Sequence, residues 1–131
     1  MSATITPIIA PQNPDTTGRE IIVDGTIALA SNYGGAATHG DTLNLQQFGD
    51  LLKSSQLPTQ VDIWEAPPAG TVPTGFDFVF CPGTTQSNGV LCILGTGAAA
   101  GGAAQEYTEA SAYSAGLLAA VLRIRAYFPA Y

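Results

Sequence analysis

The segment Gly75-Phe-Asp-Phe-Val-Phe-Cys81 constrains the fold more than any other part of the chain. Phe76, Phe78 and Phe80 recur at a spacing of two, which puts all three on one face of an extended strand. Aromatic side chains also favour pleated, half-buried surfaces intrinsically. Such a face needs an apolar partner, and Val90-Leu-Cys-Ile-Leu94 supplies one beyond a loop, Pro82 to Gly89, that ends in Asn-Gly. Setting Phe80 against Leu91 and Phe78 against Ile93 gives a hairpin with one continuous apolar side.

The same alternation recurs elsewhere. Ile21, Val23, Ile27 and Leu29 share a face, with Gly25 between them as an expected bulge or bend. Leu43 with Leu45, and Val61 with Ile63, mark two shorter strands. Near the end, Leu122, Ile124, Ala126 and Phe128 alternate with Arg123, Arg125 and Tyr127 until Pro129 stops the run. These apolar positions other than Ala126, with Phe78, Phe80, Leu91 and Ile93, form the expected core. Gln46 to Leu52 suits a single helical turn. In Gln105 to Ala120 the alanines suit a helix, but Tyr107, Tyr113 and Gly116 favour a strand and a turn. Short strands joined by Gly- and Pro-rich turns predict an all-β chain, an antiparallel β-sandwich or barrel.

Residues 1–18 read differently. Pro7, Pro11 and Pro14, with polar residues between them, predict an extended N-terminal arm outside a single domain spanning 19–131. Ile5, Ile8 and Ile9 are unusual in a solvated tail, which makes them candidate docking residues unless the arm folds back over its own sandwich.

At 131 residues with 46% hydrophobic content, the chain has material for one core. Four basic residues against ten acidic ones give a net charge of −6. Nucleic-acid affinity comes largely from Lys and Arg displacing counterions, so no direct nucleic-acid role is expected. The first residues carry no signal-peptide pattern and no stretch has the length and apolarity to span a bilayer, so no membrane partner is expected. Cys81 and Cys92 are compatible with a bridge, and free thiols are the expectation for a chain folded in a reducing cytosol.

Catalytic constellations are not apparent. His39, the single histidine, sits in turn material, and a triad or metal site needs converging partners. The glycines at 95, 97, 101 and 102 lack the lysine and helix of a phosphate loop. Asp62, Glu65 and Asp77 alternate with apolar positions, as solvated residues do, rather than pairing as glycosidase carboxylates. The expectation is no enzyme, no cofactor and no metal. Trp64 and Tyr127 fall opposite the core, where aromatics either cover a loop or mark a contact patch. Arg123 and Arg125 share Tyr127's face, as a cationic stripe toward an acidic partner or as guards of an edge strand.

Several pieces, in their order and spacing, carry a resemblance: Gly25-Thr-Ile-Ala-Leu-Ala-Ser-Asn-Tyr33, Gly40-Asp-Thr-Leu-Asn-Leu45, Val61-Asp-Ile63, Pro82-Gly-Thr-Thr85 with Asn88-Gly89, and Leu122-Arg-Ile-Arg-Ala-Tyr-Phe-Pro129. Together they resemble the head decoration (cement) or minor capsid proteins of tailed bacteriophages. The resemblance implies an antiparallel, jelly-roll-like β-sandwich on the outer head surface, made in the host cytoplasm, that binds the major capsid protein at capsomer junctions and associates with itself, as a homotrimer. The rival expectation is another virion component, a tail or host-attachment sandwich that binds a glycan.

Overall fold

The computed structural model describes residues 2–8, 20–29, 40–52, 54–96, 104–106 and 115–129. Within them lie eight strands: β1 (Ser2–Pro7), β2 (Glu20–Ala28), β3 (Asp41–Leu43), β4 (Gln60–Glu65), β5 (Asp77–Cys81), β6 (Gly89–Thr96), β7 (Ala104–Glu106) and β8 (Leu122–Pro129). A 3₁₀ segment, Leu45–Leu51, and a short helix, α1 (Ala115–Ala119), complete the described elements. The protein is therefore all-β, as expected.

All eight strands belong to one sheet, ordered β4-β8-β2-β1-β3-β6-β5, with β7 pairing β6 beyond the end of β3. The sheet is mixed rather than wholly antiparallel, because β1 runs parallel to β3. It curls until its outermost strands, β4 and β5, lie side by side without a ladder between them. The result is a nearly closed, barrel-like form.

The hairpin registers follow the alternation. Phe80 opposes Leu91 and Phe78 opposes Ile93 across β5 and β6. In β8, Leu122, Ile124, Ala126 and Phe128 are buried, and they face Ile27, Gly25, Val23 and Ile21 of β2. Leu43, Leu45, Leu91, Ile93, Phe78 and the 3₁₀ residue Phe48 complete this interior, with Leu117 of α1.

The N-terminal segment departs most from expectation. Residues 2–7 are not an arm: β1 lies between β2 and β3, and Ile5 is a core residue only 4% exposed. Pro7 is tolerated because it is the last residue of the strand, opposite Gly25, where a missing N–H does least harm. β1 also changes partners along its length, pairing Ser2 and Ala3 with β3 and Thr4 to Pro7 with β2. Beyond the end of the β3 ladder, the N–H of Ile5 donates to Gln47 Oε1 at 2.6 Å, so the 3₁₀ segment satisfies a donor that the short strand cannot reach. Residues 9–18, with Ile9, lie outside the described residues.

Gly25 is not a bulge, since the pairing with both Pro7 and Ile124 runs through it unbroken. Its role is close approach: a Cβ there would meet Thr6 O at 2.9 Å and Phe48 Cε1 at 3.1 Å. Leu45 is buried as expected but in the 3₁₀ segment, where Asn44 caps the start by accepting from Gln46 N. Gly49 takes φ 62°, the left-handed conformation that lets the chain turn within this segment. Of the expected strand over 105–120, Gln105 and Glu106 lie in β7, which begins at Ala104, whereas Ala115–Ala119 form the helix α1; residues 107–114 lie outside the described residues.

Four expected core residues, Leu29, Val61, Ile63 and Phe80, pack against the core but remain half-buried. Three of these line the β4–β5 seam, where the missing ladder leaves the interior incompletely covered.

Candidate interaction surface

The outward side of β4, β8 and β2 is set by the buried side. Because every second residue of β8 points into the core, Arg123, Arg125 and Tyr127 must point out. Register then places three rows across the strands. Trp64 sits beside Arg123 and Thr26, Asp62 beside Arg125 and Asp24, and Gln60 beside Tyr127 and Ile22. Trp64 is 41% exposed.

Four of the residues singled out in the sequence, Trp64, Arg123, Arg125 and Tyr127, therefore gather on one face. Ile8 lies at its margin, half-buried just past β1, with its N–H donating to Asp24 O at 2.9 Å. Ile5 does not belong to the face, because it is buried on the opposite side of the sheet.

The charges are balanced rather than cationic. Arg125 Nε donates to Asp24 Oδ1 at 2.6 Å and Nη2 to Oδ2 at 3.1 Å, a two-pronged bond that matches the guanidinium to the carboxylate. Those bonds and the attraction of Asp24's charge hold Arg125 even more firmly in its charged form than an ordinary arginine. On its other flank, Asp62 accepts from Gln60 Nε2 at 3.0 and 3.1 Å. Arg123 Nε is buried with no hydrogen bond among the described residues. The stripe of two arginines is thus matched by Asp24 and Asp62, so an acidic partner has no unopposed positive field to follow. The edge-guard reading also gives way, because β8 is bonded on both sides.

Trp64 connects this face to the seam. With Ile63, Glu65, Phe76, Asp77, Phe78, Val79 and Leu94 it lines an open hollow of about 410 Å³. Glu65 is already engaged there: its carboxylate accepts from the Thr74 N–H at 3.0 and 3.2 Å and from the Thr74 hydroxyl. That bond fixes the loop between β4 and β5, and it occupies one of the three carboxylates that acid–base chemistry would need. Asp62 is on the outer face and Asp77 is exposed. His39 and Gly97, Gly101 and Gly102 lie outside the described residues.

Alternation along one strand identified the individual outward residues, but no signal within a strand shows which rows they form. Asp24 carries no such signal in the sequence: it looks like any polar residue on a half-buried strand until β8 is laid beside it. No protein-family model matches the chain, and comparison with curated proteins and with solved structures gives no match either.

Proposed function

We propose that this protein is a structural component of a phage virion, which decorates and stabilises the outer head by binding the major capsid protein at capsomer junctions and other copies of itself in a trimer. The observation that carries the reading is the outward face of β4, β8 and β2, where Trp64, Tyr127 and Ile22 alternate with a balanced set of charges. Aromatic residues and arginine are the types enriched where proteins meet. Charge balance favours contact by shape and hydrogen bonding over long-range attraction. A trimer bridging adjacent capsomers needs only a modest contact per copy, because each bound copy raises the effective concentration of the next. The curled sheet supplies an apolar interior behind this outer surface, as the jelly-roll-like sandwich of the phage resemblance would.

The experiment is co-sedimentation of the purified protein with empty heads. Wild type is expected in the pellet with the heads, and Trp64→Ala with Tyr127→Ala to be depleted from it while remaining folded. Equal sedimentation of the double variant would remove this face from the contact, and failure of the wild type to bind would remove the capsid reading.

A second reading rests on a different observation, the position of Trp64 at the hollow that also holds Glu65 and Asp77. An exposed indole beside carboxylates is the chemistry of a sugar platform, as in a tail or host-attachment component. A glycan array tests it, with loss of signal in Trp64→Ala as the expected mark of a site.

A further inference from the structure

The outward side of the β5–β6 hairpin holds two sulfur atoms in near contact. Cys81 pairs in register with Val90, and Cys92 with Val79, so the two cysteines are diagonal neighbours on the side of the ladder opposite Phe78, Phe80, Leu91 and Ile93. Their Sγ atoms are 3.2 Å apart and both remain thiols. Each is half-buried, and so within reach of a small molecule.

We propose that Cys81 and Cys92 form a reversible cross-strand disulfide site, closed by exchange with a low-molecular-weight disulfide when the protein leaves a reducing environment. One thiolate attacks a sulfur of the small disulfide, forms a mixed disulfide and expels the first small thiolate. The second cysteine, as thiolate, attacks the protein sulfur of that mixed disulfide and expels the other. The two cysteines give up two protons and two electrons, and the small disulfide is reduced to two thiols. Bonding requires the sulfurs to approach by roughly 1 Å more, to the normal disulfide length; the net change is one S–S bond formed in the protein and one broken in the small disulfide. The ladder already holds the cysteines together, so the second step is intramolecular and outruns capture by a further small thiol.

The bond would close a ring around the tip between β5 and β6. That tip is itself anchored: Gln86, buried within it, donates from Nε2 to Ser54 O at 2.8 Å and Gln56 O at 2.6 Å, and Leu45 N donates to Gln86 O. Oxidation therefore secures a junction of three chain segments.

The test uses the full chain, purified with reductant and then incubated with oxidised glutathione, read by intact mass and thiol titration. Wild type is expected to lose both thiols together and two hydrogen masses, with no retained glutathione, and to need more urea to unfold than the reduced protein. Cys92→Ser is expected to retain glutathione on Cys81, and to show no such gain in urea resistance. Persistence of both thiols, a stable glutathione adduct on the wild type, or disulfide-linked dimers in place of the internal bond would each overturn the proposal. No heads enter the assay, so its outcome is independent of the capsid reading.

Discussion

Arg125 and Asp24, separated by 101 positions in the chain, are joined by a two-pronged hydrogen bond across β8 and β2 on the outward side of the sheet. The pair lies where the candidate contact surface is centred, and it orders the arginine whether or not a partner is present. An ordered side chain loses less freedom on binding than a mobile one.

The pair itself contributes little to folding, because the Arg125 side chain is 46% exposed and water screens it. Asp24→Asn is expected to lower stability by about 0.5–1 kcal/mol in urea unfolding. A double-mutant cycle with Arg125→Gln isolates the coupling. A loss several times larger would show that Asp24 holds more than this arginine.

Gly25 faces the interior with no room for a side chain. Gly25→Ala is expected to destabilise by about 1–3 kcal/mol, by forcing β1 or Phe48 aside. Gly25→Val should cost more than Gly25→Ala. A neutral alanine variant would mean that the approach of Thr6 and Phe48 is readily relaxed.

Burial predicts an ordering among the phenylalanines. Phe128 is fully enclosed, and Phe128→Ala is expected to cost about 3–5 kcal/mol. Phe80 stands at the seam, half-buried, so Phe80→Ala should cost roughly half as much, about 1.5–2.5 kcal/mol. Chemical denaturation of both variants decides it. Equal losses would indicate that something covers the seam in solution.

Removal of residues 1–18 is expected to abolish the cooperative fold, because it takes a central strand and Ile5 from the sheet. Far-ultraviolet circular dichroism and a urea titration read the result directly. A truncated chain with an unchanged spectrum and a sharp transition would show that β2 and β3 can close over the gap.

Where one strand faces a core squarely, its pattern is legible. The Phe78–Ile93 and Phe80–Leu91 pairs, and the inward set of β8, follow from spacing two with no knowledge of the neighbours. β1 was hidden because Pro11 and Pro14 lend their character to the whole N-terminal stretch, whereas the one proline in the strand occupies its last, most tolerant position. Val61 and Ile63 alternate as well as any core pair, and what leaves them half-covered is the missing ladder between β4 and β5, a relation between distant strands that neither records. The surface divides similarly: the exposure of Trp64 was legible, and the neutralisation of Arg125 was not.

The placement of β8 sets the order in which this protein can be made. It fills the space between β4 and β2, so neither has a full set of hydrogen bonds until residues 122–129 have been synthesised. A ribosome adds about 5–20 residues per second, which leaves Ile21, Val23 and Ile27 without their covering strand for several seconds of translation. Contacts this distant along the chain also form slowly after release. During that interval the nascent chain presents an apolar strand with an open edge, the kind of surface that chaperones shield and that aggregates when they do not.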